Sequence, residues 1–442
     1  MAKIKLSKKV STALINSLGA GVVPRTGVEY IAVGREQELK SLIQNLDDIA
    51  EGVSAFRFII GNYGSGKSFL LQLLRNRAME MGFVVADADL SSDRRLAGSN
   101  NEGLATYREL MSNLATKTRP DGGALLSILE GWINKIQQQV AQETGMRPND
   151  EGFDDNVEQK IREVVQYIED LVHGFDFSNV IIAYWRGYRQ DDDNLKQAAL
   201  RWLRGEFTTK IEAKQALGVR VIIDDDSWYD YTKLLARFVA EIDYKGLLIF
   251  LDEAVHLYQI STTVSREKNY NRLLGIFNDT MQCKAEYLGV FVGGTTKFLE
   301  DPHRGLFADQ AWRRRTKESK YVNQAGVQEF IGPVIRLNPL SEGEILTLLQ
   351  RLAEIHATNF NYNQKLNQQD FQAFIHEIVN RLGADSLLTP SEVVRDFISI
   401  LNILHQNPNL QLTSLIKSEE FRPTTPGNNS HHPLDDVAEF SL

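Results

Sequence analysis

Cysteine is almost missing from this sequence, and long apolar runs are missing altogether. Among 442 residues the only thiol is that of Cys283, so no disulfide can form within the chain and nothing points to an oxidising compartment. No apolar run approaches the roughly 20 residues that cross a bilayer. The N-terminal lysines precede a mildly apolar stretch, but Ser11, Thr12 and Asn16 interrupt it, which favours a short amphipathic helix over a signal peptide. We therefore expect a cytoplasmic protein without membrane contact.

An excess of positive charge is also absent, because the formal net charge is -9. This excludes a uniformly basic protein that coats nucleic acid, although a local basic groove stays possible because binding follows the local potential. The composition is otherwise globular, with 43% hydrophobic and 24% charged residues. The length corresponds to two or three compact units at roughly 150 residues each.

Short runs rich in valine, isoleucine, leucine and phenylalanine predict buried β-strands. They lie at 56–60, 83–90, 246–253 and 287–296, and the segment 334–342 is compatible with one more strand and the exit from it. Residues from about 100 to 220 instead repeat apolar residues at helical spacing, which predicts a helical insertion. The segment 219–226 (VRVIIDDD) is compatible with a strand or with a docking loop. After Glu342 the pattern is helical to about Lys417, and the remainder is rich in Pro, Asn, Ser and His, which predicts a disordered tail.

The most specific motif is a glycine-rich loop between the first predicted strand and a helix predicted over 67–81. Its residues, GNYGSGKS, match G-x-x-x-x-G-K-[ST] in the strand–loop–helix context that the motif requires. Glycines let backbone N–H groups turn towards phosphates, and the helix start adds its positive dipole end. We expect Lys67 to reach the β- and γ-phosphates of ATP and the Ser68 hydroxyl to ligate Mg²⁺. The candidate ATP-binding residues of this loop are Gly61, Asn62, Tyr63, Gly64, Ser65, Gly66, Lys67, Ser68 and Phe69.

The glycine-rich loop at 61–68 has the motif of a P-loop, and a P-loop needs a further carboxylate at the end of a neighbouring strand. The run LLIFLDE supplies two acids after five apolar residues. We expect Asp252 to hold Mg²⁺ through water and Glu253 to polarise the attacking water during hydrolysis. A strand that simply meets solvent can end in the same way. Its pairing with the P-loop favours the functional interpretation.

Polar and basic residues follow the next predicted strand. In AAA+ proteins, which this order of motifs resembles, a polar residue at this place holds the water near the γ-phosphate, and Thr295 or Thr296 would correspond to it. A small-residue loop without such a role has the same pattern. Arg304 and one of the three arginines at 313–315 are candidates for contact with a neighbouring subunit's γ-phosphate, a task that suits the guanidinium fork. A solvated basic loop, or a contact with the DNA backbone, explains the same arginines.

Together these motifs resemble a known family. The segment GVVPRTG (21–27), followed by IAVGRE (31–36), is similar to the N-terminal part of the origin-recognition and STAND branch of AAA+ ATPases. In that branch the turn that corresponds to Val33, Gly34 and Arg35 lies against the adenine. The chain as a whole resembles the P-loop ATPases of BREX phage-exclusion systems, the BrxD and BrxC type. The resemblance lies in the P-loop, the helical segments YRELMSNL and GGALLSILEGW, the strand GLLIFLDE and the segment GGTTKFLED. The resemblance covers roughly residues 10 to 405.

The resemblance implies an α/β fold of the P-loop NTPase, AAA+ type, with a five-stranded parallel sheet between helices, a helical insertion and a C-terminal helical lid. The implied regions are 1–30 (N-terminal helix and adenine-side linker), 31–99 and 221–340 (two parts of the AAA+ core), 100–220 (insertion), 341–417 (lid) and 418–442 (tail). Members tend to carry T-P-R-E before a lid helix. Here Ser391 stands in the arginine's place, and Arg395, one turn further on, is the candidate nucleotide sensor of the lid.

The resemblance also implies bacterial defence against phage, beside a helicase-like or other defence-system partner. Two functions stay open. The first is an ATPase that forms a homo-oligomer and remodels or moves along DNA, which it contacts directly or through a partner. The second is a STAND-like, nucleotide-dependent switch with slow turnover that regulates a partner.

Overall fold

The structure, a computed structural model, describes residues 6–169, 171–317, 329–382, 389–418 and 423. Most of the tail predicted at 418–442 lies outside these residues. The described residues form two compact units. The first, which we call the P-loop unit, contains the described parts of Met1–Lys40, Ile59–Leu74 and Arg336–Leu442, and the second unit contains those of Ser41–Phe58 and Arg75–Ile335. Among all the residues that the structure describes, no helix is both long enough and apolar enough to cross a membrane.

Five strands form one parallel sheet in the order β2-β3-β4-β1-β5. They are β1 (Ala55–Ile60), β2 (Val84–Asp89), β3 (Leu247–Asp252), β4 (Leu288–Gly294) and β5 (Val334–Arg336). Every residue of β1 and β4 is buried, as expected for a parallel sheet covered by helices. Leu247 of β3 pairs with Val84 on one side and with Leu288 on the other. The predicted α/β fold of P-loop NTPase type, with five parallel strands between helices, is confirmed.

Helices cover the sheet and fill the connections between strands. The helices outside the segment 100–220, up to β5, are α1 (Lys8–Gly19), α2 (Glu36–Ala50), α3 (Lys67–Glu80), α10 (Trp228–Glu241), α11 (Val255–Gln259), α12 (Thr263–Met281), α13 (Thr296–Glu300) and α14 (Gln310–Thr316). Single 3₁₀ turns lie at Val28–Tyr30 and Leu306–Ala308. The expected N-terminal amphipathic helix corresponds to α1, which begins after the N-cap Ser7.

The segment 100–220 is helical in its described part. It contains α4 (Glu102–Ser112), α5 (Leu125–Thr144), α6 (Phe153–Glu169), α7 (Gly174–Arg189), α8 (Asp193–Leu203) and α9 (Lys210–Leu217). From α5 to α9 each helix packs against the next along the chain. Phe238 of α10 joins their core through edge-to-face contacts with Trp132 and Phe177.

The segment 219–226, for which both a strand and a docking loop are compatible with the sequence, forms a loop. Its Asp225 carboxylate accepts hydrogen bonds from the backbone N–H groups of Gly98, Gly103 and Leu104, at 2.9, 2.6 and 3.2 Å. These bonds satisfy backbone donors around the start of α4. Val219 and Ile223 of this segment are buried, and Asp225 ties the segment to the backbone around the start of α4.

The P-loop unit contains the C-terminal helices α15 (Glu342–Phe360), α16 (Gln368–Leu382), α17 (Pro390–Gln406) and α18 (Leu412–Ile416). Their apolar faces form one core with α1, which contributes Leu14 and Ile15. Ser341 begins α15 with a reciprocal capping box to Glu344, an arrangement that fixes the start of a helix. The helical pattern predicted after Glu342 is thereby confirmed up to Ile416, within the described residues.

Candidate functional site

The glycine-rich loop connects the end of β1 at Ile60 with the start of α3 at Lys67. Gly64 and Gly66 have φ of +73° and +93°, a region that favours glycine. A Cβ atom on Gly61 would lie 2.4 Å from the Ser65 Oγ, and one on Gly64 would lie 2.8 Å from the Thr389 Cβ. A side chain at Gly61 would therefore clash with Ser65, and one at Gly64 would clash with Thr389.

Two side chains of this loop have the chemistry that a nucleotide triphosphate with Mg²⁺ needs. The Lys67 Nζ donates a 2.9 Å hydrogen bond to the carbonyl oxygen of Asn62, which keeps the ammonium folded over the loop. Ser68 is the second residue of α3 and is half-buried. Tyr63 projects into solvent with 69% of its surface exposed. These residue types fit ATP with Mg²⁺, and Lys67 and Ser68 are the residues that would hold the phosphates and the ion.

Arg35 supports this loop from inside the protein. The buried guanidinium donates from Nη2 to the carbonyl oxygens of Ser65 and Asn338, at 3.1 and 2.9 Å, and from Nη1 to the Glu38 carboxylate at 3.1 Å. Val33 is buried in the core of the P-loop unit, and Gly34 adopts a φ of +69°. The structure thus places the guanidinium of Arg35 behind the P-loop, bonded to protein groups.

The start of α17 lies against the same loop. A Cβ atom on Gly64 would lie 2.8 Å from the Thr389 Cβ, as given above, and 3.2 Å from the Glu392 Oε2. Arg395, the lid sensor candidate, extends along Gly21, whose Cβ position is 3.8 Å from the Arg395 Cδ. The sequence gave no sign of these contacts with Gly64, because more than 320 positions separate Thr389 and Glu392 from it.

The acidic pair belongs to the second unit. Asp252 ends β3, and Glu253 has a φ of +55°, which is uncommon for a residue with a side chain and is shared by seven other non-glycine residues of the described chain. The backbone N–H of Glu253 donates to the Asp252 Oδ1 at 2.8 Å, and that of Ala254 donates to the carbonyl oxygen of Gly293 at 3.0 Å. The two carboxylates are therefore held on a tight turn that is tied to the end of β4.

The two threonines after β4 differ in their local role. The Thr295 hydroxyl caps α13 by accepting a 3.2 Å hydrogen bond from the backbone N–H of Phe298. Its own hydrogen stays available for donation. Thr296 is the first residue of α13 and is exposed. Both candidates thus follow directly on the strand whose end is tied to the acidic turn.

A family model for the BREX system ATP-binding proteins BrxC/D matches residues 6–420. The chain belongs to the BrxC/D family. It is therefore an ATP-binding protein of the BREX phage-defence system, as the resemblance predicted. A search of curated proteins gave no match.

The arginine candidates of this BrxC/D protein are held in different ways. The guanidinium of Arg304 donates to the carbonyl oxygens of Tyr258, Gln259 and Ile260, at 2.8, 3.2 and 3.0 Å. On α14, Arg313 donates to the carbonyl oxygen of Phe307 at 2.7 Å and Arg315 to that of Ala311 at 3.1 Å. Arg314 is exposed and makes no hydrogen bond or ion pair within the described part of the chain.

Arg304 also belongs to a small network at the end of α11. The Asp301 carboxylate accepts the backbone N–H groups of His303 and Arg304, which lowers the pKa of Asp301. The Tyr258 hydroxyl donates to the same carboxylate at 3.1 Å, and the Arg304 guanidinium lies over the Tyr258 ring. Arg304 thus holds the end of α11 within its own chain.

Proposed function

We propose that this BrxC/D protein is an AAA+-type ATPase that hydrolyses ATP with Mg²⁺ and works as a homo-oligomer in phage defence. The observation that carries the proposal is the acidic turn, where Glu253 follows Asp252 in a left-handed conformation at the end of a buried strand. Strained backbone of this kind persists where the surrounding structure enforces it, and it is concentrated at active sites. A surface acid at the end of a strand needs no such conformation.

The roles follow from the chemistry of each group. Lys67 binds the β- and γ-phosphates, and Ser68 and Asp252 hold Mg²⁺, Asp252 through water. The ion neutralises phosphate charge when it is bound. Glu253 orients a water molecule and accepts a proton as the water oxygen attacks the γ-phosphorus and the bond to the β-phosphate oxygen breaks. Thr295 or Thr296 donates a hydrogen bond to the same water. Arg395 senses the nucleotide from the lid.

The arginine that acts on a neighbouring subunit is, in this proposal, Arg314. Such a residue must leave its own subunit to reach another subunit's γ-phosphate. Arg304 is bonded to three carbonyl oxygens of its own chain, whereas Arg314 is exposed on α14. The alternative target of Arg314 is a DNA phosphate, for which a basic helix end is equally suited. DNA contact, direct or through a helicase-like or other partner of the defence system, belongs to this proposal.

A steady-state ATPase assay with and without double-stranded DNA tests the proposal. We expect Mg²⁺-dependent turnover that DNA stimulates and that is lost in Lys67→Ala, because Lys67 is the cation that folds over the P-loop. Tight ATP binding with negligible turnover under all conditions would contradict hydrolysis.

That contrary result would favour the second candidate, a STAND-like switch in which ATP binding alone changes the affinity for a partner. One observation supports it. The lid carries Ser391 in the place where relatives tend to carry arginine, and the neighbouring Glu392 puts a carboxylate against the P-loop. A carboxylate at this place does not stabilise the negative charge of a transferring phosphoryl group.

A further inference from the structure

Two helices of the P-loop unit begin with the sequence pattern of a capping box, S/T-x-x-E. In Ser341–Glu344 the box is closed. The Glu344 Oε2 accepts the backbone N–H of Ser341 at 2.7 Å, and the Ser341 Oγ accepts the backbone N–H of Glu344 at 3.4 Å. In Thr389–Glu392 the box is open, because the Thr389 side chain makes no cap hydrogen bond. The same pattern therefore serves a different purpose at the start of α17.

The open box faces the P-loop. A Cβ on Gly64 would lie 3.0 Å from the Thr389 Oγ1 and 3.2 Å from the Glu392 Oε2, so both polar atoms are aimed at the glycine of the phosphate-binding loop. Thr389 is 8% exposed, and its Oγ1 makes no hydrogen bond within the described structure. The same holds for the Glu392 Oε2 and for the Ser65 Oγ. Buried polar atoms are paired in most proteins, and three of the nine buried side-chain atoms that lack a hydrogen bond in the described structure lie at this one loop.

Negative charge on Glu392 is costly at this place. Burial raises the pKa of the Glu392 carboxyl, and Asp396 acts in the same direction, whereas the residue's own backbone N–H and Arg395 favour the ionised form. Any further negative charge brought to the P-loop adds to the cost. ATP carries one more phosphate than ADP and hence more negative charge.

We propose that Glu392 sets the preference of the P-loop between ATP and ADP, because its carboxylate charge opposes the triphosphate more than the diphosphate. The proposal rests on the placement of the phosphates in the P-loop under the proposed function. Glu392 is then a specificity-determining residue that keeps ATP affinity low enough for the nucleotide state to change. A closed capping box would turn the carboxylate towards its own helix and remove this effect.

The expected size follows from the interaction of two unit charges several ångströms apart in a partly hydrated site, which corresponds to about a three- to thirty-fold change in a binding constant. Glu392→Gln keeps the shape of the side chain and removes the charge. It should strengthen the binding of ATP relative to ADP by about ten-fold. Glu392→Asp keeps the charge and should keep the ratio close to that of the unmodified protein.

The test measures equilibrium binding of a fluorescent non-hydrolysable ATP analogue and of fluorescent ADP to the full chain. Glu342→Gln is the matched control, because it removes a carboxylate from the exposed first turn of α15 in the same unit. A merely structural loosening of α17 weakens both nucleotides and leaves the ratio of their affinities unchanged. An ATP-to-ADP affinity ratio that is the same in Glu392→Gln as in the unmodified protein and the control would overturn the proposal.

Lys67→Ala, measured beside these variants, distinguishes a failure of the role of Glu392 from a failure of the proposed function. If Lys67→Ala loses ATP and Glu392→Gln leaves the ratio unchanged, only the assignment of Glu392 fails. If Lys67→Ala binds ATP as well as the unmodified protein does, the phosphates do not lie in the P-loop, and both the proposed function and the role of Glu392 fail.

Discussion

The Arg35 guanidinium donates a 3.1 Å hydrogen bond to the backbone carbonyl oxygen of Ser65, in the middle of the P-loop. A second bond from the same nitrogen reaches the carbonyl oxygen of Asn338, which leads from β5 into α15. The turn at 33–35, the glycine-rich loop and the approach to the C-terminal helices are thus joined by one buried side chain. We expect the conformation of the P-loop to depend on it.

Replacement of Arg35 by alanine should weaken ATP binding and destabilise the P-loop unit. The substitution leaves the buried Glu38 carboxylate without its partner, and breaking such a pair costs about 3–5 kcal/mol. The double variant Arg35→Met/Glu38→Gln removes the unpaired charge and should recover much of the stability. It should not recover ATP affinity, because the bond to Ser65 is still missing. Chemical denaturation and nucleotide binding measured side by side check this. A double variant that binds ATP normally would show that Arg35 only stabilises the fold.

Much of the fold could be predicted from the sequence because the strands of a parallel sheet are buried on both faces and are therefore apolar throughout. The predicted segments at 56–60, 83–90, 246–253 and 287–296 correspond to β1, β2, β3 and β4. The glycine-rich loop was equally visible, because its motif has a fixed spacing and stands between a strand and a helix.

The contact of Thr389 and Glu392 with Gly64 could not be predicted from the sequence, because it joins residues that are distant in the chain. Nothing in the local pattern of Thr389–Glu392 distinguishes it from the closed box of Ser341–Glu344. Only packing against Gly64 does so. The segment 219–226 is a similar case, because both a strand and a loop are compatible with its sequence. In the loop that it forms, Asp225 accepts hydrogen bonds from backbone N–H groups that are distant in the chain.

The two arginine candidates should respond differently to alanine substitution. Arg314→Ala should lower turnover by at least about ten-fold without weakening ATP binding, because the residue acts on a neighbouring subunit's nucleotide. The same variant mixed with Glu253→Gln should regain some activity, since an intact Arg314 then faces an intact Glu253. Arg304→Ala should instead destabilise the end of α11, where its guanidinium bonds three carbonyl oxygens.

Dependence of specific ATPase activity on protein concentration checks the same idea, together with light scattering in the presence of ATP. Turnover that is independent of concentration in a strict monomer would contradict action between subunits. If Arg314→Ala instead weakens DNA binding in a salt-dependent way and leaves DNA-free turnover alone, Arg314 contacts DNA.

The C-terminal helices should lose stability as the pH falls below neutrality. Burial lowers the pKa of His356, whose ring nitrogens lie 2.9 Å from the Tyr362 hydroxyl and 3.1 Å from the Asn402 Oδ1. The pKa of His356 in the folded protein lies below the unfolded value of about 6.5. Between these two pKa values the unfolded state therefore binds more protons than the folded state. The stabilisation is complete above pH about 6.5 and is lost as the pH falls towards the folded pKa.

Amide hydrogen exchange of α15 and α17 at a series of pH values measures this effect, after correction for the intrinsic pH dependence of exchange. The control is His356→Gln, which retains polar groups and does not titrate. The difference in protection between the two proteins should shrink as the pH falls. Parallel profiles across pH 5–7.5 would show that His356 does not contribute.

The most direct test of the account is a comparison of ATP binding and ATP hydrolysis in Glu253→Gln. The substitution keeps the size of the side chain and its left-handed position after Asp252, but it removes the group that accepts the proton from water. We expect unchanged ATP affinity and hydrolysis lower by roughly two or more orders of magnitude, the scale of a lost general base. Glu300→Gln, which changes a half-buried acid at the end of α13, should hydrolyse ATP at the normal rate. Unaltered hydrolysis by folded Glu253→Gln would contradict the account, because the strained acidic turn would then have no part in activating water.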